Sequence, residues 1–599
     1  MKRVVWAAAA ISAVLLAGCN SPHLALSQPS AVSVPVGGTL AFAGIIQDAN
    51  GTILWKLDGP GSLTNTSGLS TVYVAPSTYP SPNQATLTAS LGNSSDTKQV
   101  VTITITKPTT NVGGIPGLVS TVTVSYDERD IPTINCTQSV DCYAVLGFIH
   151  ARDRLFQMDF YRRVAEGRVS ELVGESGLDQ DEALRTFFTS RDGQSMLAGL
   201  AAHWQEDPLI APVAAAYTAG VNAFIAQVRA DPTKLPAAYK QLQYVINPAS
   251  PDDLPDWTVV DSVAVGRLFQ FQLSETAEQE GDYGKWASTW AALIGSGTAV
   301  DPGQLTIGLW IQSKSPVEAF TLAGTGAANA PSLVAQPPML ESLRANRGVI
   351  DAASTMLNAL RAVRALRGEP PGSNNWVVDG QHTDIGKAFV VNDPHQPLTY
   401  PSNFHLSHLI GTEDHLNVLG ACFPGVPTAL VGRGAHVGWG VTVVGYDVTD
   451  LYVETLAGLP DGGPAVSFQG QPVGIINVPQ TYKFRTAAGL AALSNAPAVQ
   501  VSPPHGPIIS SGPSAGTAIS ARWTGQEVLT DDLRAFLRLN NAASVEDGRV
   551  ALEGDPKPDG GSYTGYYTGA QNFVLADDQG NIAYPVSYTH LTLPTICSV

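Results

Sequence analysis

At Gly372–Ser373 the hydrophobic period of the chain changes, and this limits the available folds more than any other feature. Upstream, "DCYAVLGFIHARDRLFQMDFYRRVAEGRVSEL" and then "VIDAASTMLNALRAVRALRG" carry apolar residues at helical spacing with charged faces. Downstream, to about Tyr584, short alternating runs between Gly-rich turns read as strands. Helices followed by sheets in one large body give an α+β fold. The junction reads "GEPPGSNNWVVDG": a Pro-Pro-Gly elbow, a serine and an apolar run. Taken alone, Ser373 is an ordinary turn residue.

The 599 residues are enough for several domains. The chain opens "MKRVVWAAAAISAVLLAGC", a basic start and an apolar run too short for an ordinary membrane span, which reads as an export signal. Leu16-Ala17-Gly18-Cys19 resembles a bacterial lipobox. That resemblance implies removal of residues 1–18, a lipid on Cys19, and tethering at the bacterial cell envelope, on the periplasmic side or at the outer membrane. Asn20, where an aspartate would mark retention, leans towards the outer membrane. No later stretch reads as a span, so the body is expected to be soluble. A net charge of -18 with 33 basic residues argues against a nucleic-acid partner.

Residues 19–107 alternate in short runs such as "ATLTASLG" and "VVTITIT", broken by Gly, Pro, Asn and Ser, and suggest a small all-β sandwich. They look like a bacterial immunoglobulin-like module with Trp55 in its core and a role in spacing or adhesion. Residues 108–118 read as a linker. Cys136 and Cys142 lie six apart in a chain read as exported, a setting compatible with a disulfide and with two separate thiols. Cys422, in "GACFPGVP", reads as a buried small hydrophobe.

"WVVDG" and "KAFVVND" flank a polar loop and read as an antiparallel hairpin. Setting Val377 against Val390 puts Pro394 opposite Ser373 and lands His395 beside the serine. A serine and a histidine then converge, which is also an ordinary structural hydrogen-bonding pair.

"GSNNWVVDG" with "VVNDPH", together with "YDERDIPTI", "WGVTVVGYDVTDLYVE" and "QNFVLADDQGNIAY" in the same order, resembles the penicillin acylase family of N-terminal-nucleophile hydrolases. That family includes cephalosporin and acyl-homoserine-lactone acylases. The resemblance implies a four-layer αββα body, with a helical chain at 119–322, a removable spacer at 323–372 and a catalytic chain at 373–584. It also implies cleavage between Gly372 and Ser373, leaving two associated chains. The freed α-amine, with a reference pKa of about 7.7 to 8.0, would serve as the base for its own hydroxyl. His395 matches the histidine that orients this amine in the cephalosporin and homoserine-lactone branches. Val443 matches the backbone N–H donor of the oxyanion hole, and Asn572 its side-chain donor. The implied substrate is a small N-acyl amide.

Asp447, Thr449 and Asp450 in "GYDVTDLY" resemble calcium ligands of the penicillin G branch, with a further ligand at Glu278 or Glu280. A structural Ca2+ is therefore expected and no organic cofactor. The same pair of aspartates is also an ordinary solvated turn. Residues 585–599, with Cys597, do not continue the family pattern, whose next arginine would fall near Pro594, and they read as a truncated frame with a foreign tail. The alternative to a hydrolase is an inactive surface protein that binds through its N-terminal module.

Overall fold

The computed structural model describes residues 23–47, 51–92, 97–107, 110–274, 277, 282, 347–366, 372–443, 448–510, 516–526, 532–554, 565–566, 568–569 and 571–585. The export signal with Cys19, most of the expected spacer, Glu278, Glu280, Asp447 and nearly all of the tail lie outside the described residues. The chain divides into two compact units: residues to Asn111 with Thr123–Thr133, and Val112–Val122 with Ile134 onward. The segment Thr123–Thr133, assigned from sequence to the helical chain, thus groups with the N-terminal unit.

In the first unit, strands His23–Leu26, Thr39–Gln47, Ser70–Val74 and Ser62–Leu63 make one sheet. Ala31–Pro35, Lys98–Thr106, Gln84–Leu91 and Ile53–Asp58 make another. Alternation drives this arrangement: along Gln84–Leu91 every second residue is buried, because successive strand side chains point to opposite faces. The buried sets of both sheets, among them Leu24, Phe42, Trp55, Leu87 and Ile103, share one apolar core. Trp55 also satisfies its indole N–H, on the Gly68 carbonyl at 2.9 Å.

The second unit begins with helices. Ser139–Ala165 kinks at Arg154, whose φ is -140 and ψ 18. It packs against Ile210–Ala230 at a pair of glycines: a Cβ on Gly147 or Gly220 would collide with the facing helix backbone. Ile210–Ala230 is a correction to the sequence reading, because by length and composition it is apolar enough to cross a membrane. Its buried residues Val213, Tyr217, Val221 and Phe224 instead sit in the protein core. Cys136 and Cys142 form a disulfide, and Cys422 is a buried free thiol.

Charges are buried between these helices in a closed network. Arg163 donates to Asp159 and Glu171, and Arg162 to Asp159 and Asp261. Arg485, from the far side of the 372–373 junction, completes it by donating to Asp253 at 2.6 Å and to the Glu171 carbonyl at 2.9 Å.

After Ser373 the chain is mainly strands. Ile582–Ala583, Gln571–Asp577, Val437–Val443, Val431–Arg433, Asn417–Cys422 and His405–Gly411 are consecutive antiparallel neighbours in one sheet. The hairpin Gly372–Val378 with Phe389–His395 is a separate two-stranded sheet. It lies against Val437–Val443: a Cβ on Gly438 would meet Val390 at 3.4 Å. Two helices, Asp532–Asn540 and Val545–Glu553, interrupt the region read from sequence as strands and turns. Leu533, Phe536 and Leu537 provide the buried stripe of the first. Ser544 caps the second by accepting from the Asp547 N–H at 3.1 Å.

Candidate active site

The hairpin forms in the register expected from its valines, Val377 opposite Val390 and Ser373 opposite Pro394, with Gly372 opposite His395. Asp379 holds the turn, its carboxylate accepting from the N–H groups of Gln381 and His382. Because neighbouring side chains on a strand point to opposite faces, Ser373 and Pro394 share one face, and Asn374, Asp393 and His395 share the other. The expectation that the serine and histidine side chains converge is therefore corrected. His395 stands across from Gly372, with Nδ1 2.9 Å from where a Cβ on that glycine would lie.

The polar contacts of His395 are with residues on its own face of the hairpin rather than with the Ser373 hydroxyl. Its Nε2 lies 3.1 Å from Asp393 Oδ2 and 3.3 Å from Asn374 Nδ2. A proton on Nε2 donated to Asp393 leaves a lone pair on Nδ1, the ring atom nearest the Gly372 side. On the other face, Ser373 Oγ donates to the Gly372 carbonyl oxygen at 2.6 Å. The hydroxyl thus already rests against the carbonyl of the peptide bond preceding it.

Ser373 borders a cavity of about 110 Å³ with mostly apolar walls. One wall is a stack of rings from three segments. Phe404 and Phe423 are 4.9 Å apart and 12° from parallel, and Phe423 and Phe269 are 3.6 Å apart and 5° from parallel. Trp204, Val426, Leu533, Phe536 and Tyr566 continue the lining. The wall also carries an ion pair, Arg267 and Asp532 at 3.1 Å, and Arg267 is bonded to Thr568. Such a cavity takes an apolar group whose reactive end meets the serine.

Val443 lines the same cavity as Ser373. Its strand partner is Gln571, which also lines it, whereas Asn572 pairs with Thr442. Asn572 is not among the lining residues but sits directly behind one: its Nδ2 lies 3.4 Å from Oγ1 of Thr442, which lines the cavity, and its Oδ1 is buried without a partner among the described residues. The structure thus brings Ser373 and Val443 to one cavity and places Asn572 next to the lining residue Thr442 without lining the cavity itself. Gln571 was missed from sequence, as were Asn375 and Asn392, which bind the hairpin to the sheet; isolated asparagines in strand sequence carry no visible signal.

Of the calcium candidates, Thr449 and Asp450 open the strand Thr449–Gly458. Asp450 Oδ2 already accepts from the Tyr452 hydroxyl at 3.2 Å. Among the described residues no group of three or more His, Cys, Asp or Glu side chains is placed to hold a metal. Thr449 and Asp450 are the calcium candidates among the described residues; Asp447, Glu278 and Glu280 lie outside them.

A second polar cluster joins the strand His405–Gly411 to the helix Ser139–Ala165. Ser407 Oγ, His405 and Asp153 are linked in series, at 3.0 and 3.1 Å. That connectivity is a triad's, yet Ser407 is 1% exposed and neither it nor His405 lines the cavity. Burial pushes the Asp153 carboxyl up, but hydrogen bonds from His405 and Arg152 outweigh this and hold it below the usual carboxylate range. Next to it, burial and the neighbouring His405 depress His150 well below its ordinary value, so it is neutral. His150 Nδ1 accepts from the Tyr217 hydroxyl at 2.8 Å, and that oxygen accepts from the Gly425 N–H at 2.8 Å. Gly425 has φ +111, so a neutral histidine anchors the glycine turn that presents Phe423 and Val426 to the cavity.

A sequence model of the family described as Penicillin amidase matches residues 121–590. The chain is 28% identical over 425 residues to penicillin acylase 2 proenzyme of Pseudomonas sp. (strain SE83), covering 68% of this chain and 46% of that protein. It is 28% identical over 351 residues to the acyl-homoserine lactone acylase QuiP of Pseudomonas aeruginosa, covering 58% of this chain and 36% of that protein. Penicillin G acylase of Escherichia coli is 24% identical over 56% of this chain and 40% of its own length. The chain thus spans less than half the length of these relatives. A solved thermostable penicillin G acylase from Alcaligenes faecalis superposes with a TM-score of 0.29 at 20% identity, over 36% of this chain and 35% of that one.

Proposed function

The chain belongs to the penicillin amidase family, and from that premise we propose that it is a self-cleaving hydrolase of small N-acyl amides with Ser373 as nucleophile. The observation that carries this reading is that Ser373 and Val443 border one apolar cavity while His395 stands directly across the hairpin from Gly372.

In the first reaction Ser373 Oγ adds to the Gly372 carbonyl carbon. The peptide C–N bond breaks, its nitrogen takes the hydroxyl proton, and water cleaves the resulting ester. Ser373 is left with a free α-amine on the face of His395 Nδ1. In the second reaction that amine accepts the Oγ proton as Oγ attacks an N-acyl amide. The acyl group occupies the ring-walled cavity and the departing amine takes the proton; water then releases the acid. The Val443 N–H donates to the oxyanion. Asn572 joins it only after leaving Thr442, and loss of one such donor costs about 2.7 to 4 kcal/mol of transition-state stabilisation.

The apolar lining selects an apolar acyl group. The relatives' names point to two kinds of leaving amine, a β-lactam nucleus and a homoserine lactone. In the same reading the helices and the sheets after Ser373 are part of an αββα body. The N-terminal unit is an immunoglobulin-like spacer, and Cys19 carries a lipid at the cell envelope.

The test is intact mass and N-terminal sequencing of the purified protein beside Ser373→Ala. A fragment beginning Ser-Asn-Asn-Trp, present only with the serine, is expected, together with release of acid from phenylacetyl and hexanoyl amides. The mass of the N-terminal fragment also reads lipid on Cys19. An uncut chain without hydrolysis in both proteins rejects the reading.

A further inference from the structure

The strand carrying Val443 has an edge that, among the described residues, no strand of its own sheet completes. Its neighbour Val431–Arg433 pairs Gly432 with Trp439 and Arg433 with Gly438, and the pairing goes no further. Val441 lies beyond that point, and its N–H and C=O are both taken by one side chain of the hairpin. Asn392 Oδ1 accepts from the Val441 N–H at 3.3 Å, and Asn392 Nδ2 donates to the Val441 carbonyl at 3.0 Å. Nδ2 also donates to the Asn374 carbonyl, at 3.1 Å, on the strand that holds Ser373.

A carboxamide suits this position chemically. It offers one donor and one acceptor, the pair that a peptide group of a neighbouring strand would offer. Aspartate lacks the donor and leucine lacks both. The contact is close because Gly440 has no side chain: a Cβ there would lie 2.9 Å from the Asn392 Cβ. Directly across the hairpin, Asn375 is paired with Asn392, and its Nδ2 donates to the Asn572 carbonyl at 3.4 Å. Two opposed amides therefore reach the two adjacent strands that carry Val443 and Asn572.

We propose that Asn375 and Asn392 form an amide clamp that sets Ser373 in register with Val443, and that both act as positioning residues for the proposed hydrolysis. The catalytic half of this inference rests on the acylase reading; the clamp itself rests on the hydrogen bonds alone. Ser373 and Val443 lie on different sheets, so a slip of the hairpin would move the nucleophile relative to the oxyanion donor without disturbing either sheet. Misplacement of about 1 Å is enough to cost roughly a hundredfold in rate.

The experiment compares wild type with Asn392→Leu, Asn392→Asp and Asn375→Ala by hydrogen exchange, by rate of self-cleavage and by steady-state kinetics. In Asn392→Leu, amides of 372–378 and 437–443 are expected to exchange at least tenfold faster while 139–165 stays as protected as before. Self-cleavage and kcat are expected to fall roughly tenfold or more with KM within about threefold, since positioning is lost and acyl binding is not. Asn392→Asp, which keeps shape and acceptor, provides a second folded variant and should fall between. Unchanged exchange in both strands overturns the clamp. Faster exchange with kcat intact overturns the positioning role. If wild type itself neither cuts nor hydrolyses, the acylase reading and the catalytic half fail together, and exchange still judges the clamp.

Discussion

Gly372 and His395 face each other across the hairpin so closely that a methyl group on the glycine would lie 2.9 Å from the imidazole Nδ1. The glycine before the serine therefore leaves room for the ring beside the peptide proposed to be cut. His395 is half-exposed and can swing into solvent, so Gly372→Ala is expected to leave folding intact. It should nevertheless slow self-cleavage roughly tenfold or more, because the ring is displaced from the peptide. A mass-spectrometric time course reads this directly. Cleavage at the wild-type rate would separate His395 from the reaction.

His150 gives the fold a pH dependence with a defined sign. Its folded pKa is depressed by burial and by His405, with Asp153 and Arg154 as the other charged groups around it. The unfolded chain therefore binds a proton that the folded chain refuses. Stability from this group is complete above about pH 6.5 and is lost as pH falls below it, by up to about 1.4 kcal/mol per pH unit. Asp153 is also depressed, and its contribution is lost only below about pH 4. His150→Gln cannot become charged, so urea midpoints between pH 6.5 and 4.5 should vary less in the variant. Parallel curves would show that the depression is absent.

The hairpin was legible in sequence because Val377 and Val390 fall within alternating runs and a two-fold period allows few registers. The same period explains the misplaced side chain: His395 is one residue from the position opposite Ser373, and one residue reverses the face. Asn572 was matched by motif alone, and it reaches the cavity's edge only through Thr442, while its neighbour Gln571 lines the cavity. Arg485 was illegible, because its partner Asp253 lies 232 residues away and nothing local marks an arginine as buried. The Asp532–Asn540 helix did carry a signal, apolar residues at 533, 536 and 537, which the surrounding strands obscured.

Phe423 is the middle ring of the stacked wall, and the turn that presents it is fixed by Tyr217. Phe423→Leu keeps an apolar side chain but removes the flat face. The ratio of kcat/KM for phenylacetyl over hexanoyl amides should fall by about two- to tenfold, since aromatic pairs contribute roughly 0.5 to 1.5 kcal/mol beyond area burial. Steady-state kinetics on the two amides measures it. An unchanged ratio would place the acyl group elsewhere.

Arg485 and Asp253 stand on opposite sides of the 372–373 junction in sequence, and their ion pair is buried in the helical network. Cleavage would remove the covalent link between them, so this contact would then help to hold two separate chains. Arg485→Met leaves Asp253 buried without its guanidinium, and the expected loss is about 3 to 5 kcal/mol. Changing both residues, to Met and to Leu, removes the stranded charge and should recover part of that loss, because an apolar pair of similar volume is often neutral. Urea denaturation of the uncut Ser373→Ala protein measures the fold alone, and size exclusion of the cut protein measures chain association. If the single variant is as stable as the parent protein, Asp253 is hydrated rather than buried. If the double variant is no better than the single one, the loss comes instead from the Glu171 carbonyl, which also gives up its Arg485 donor.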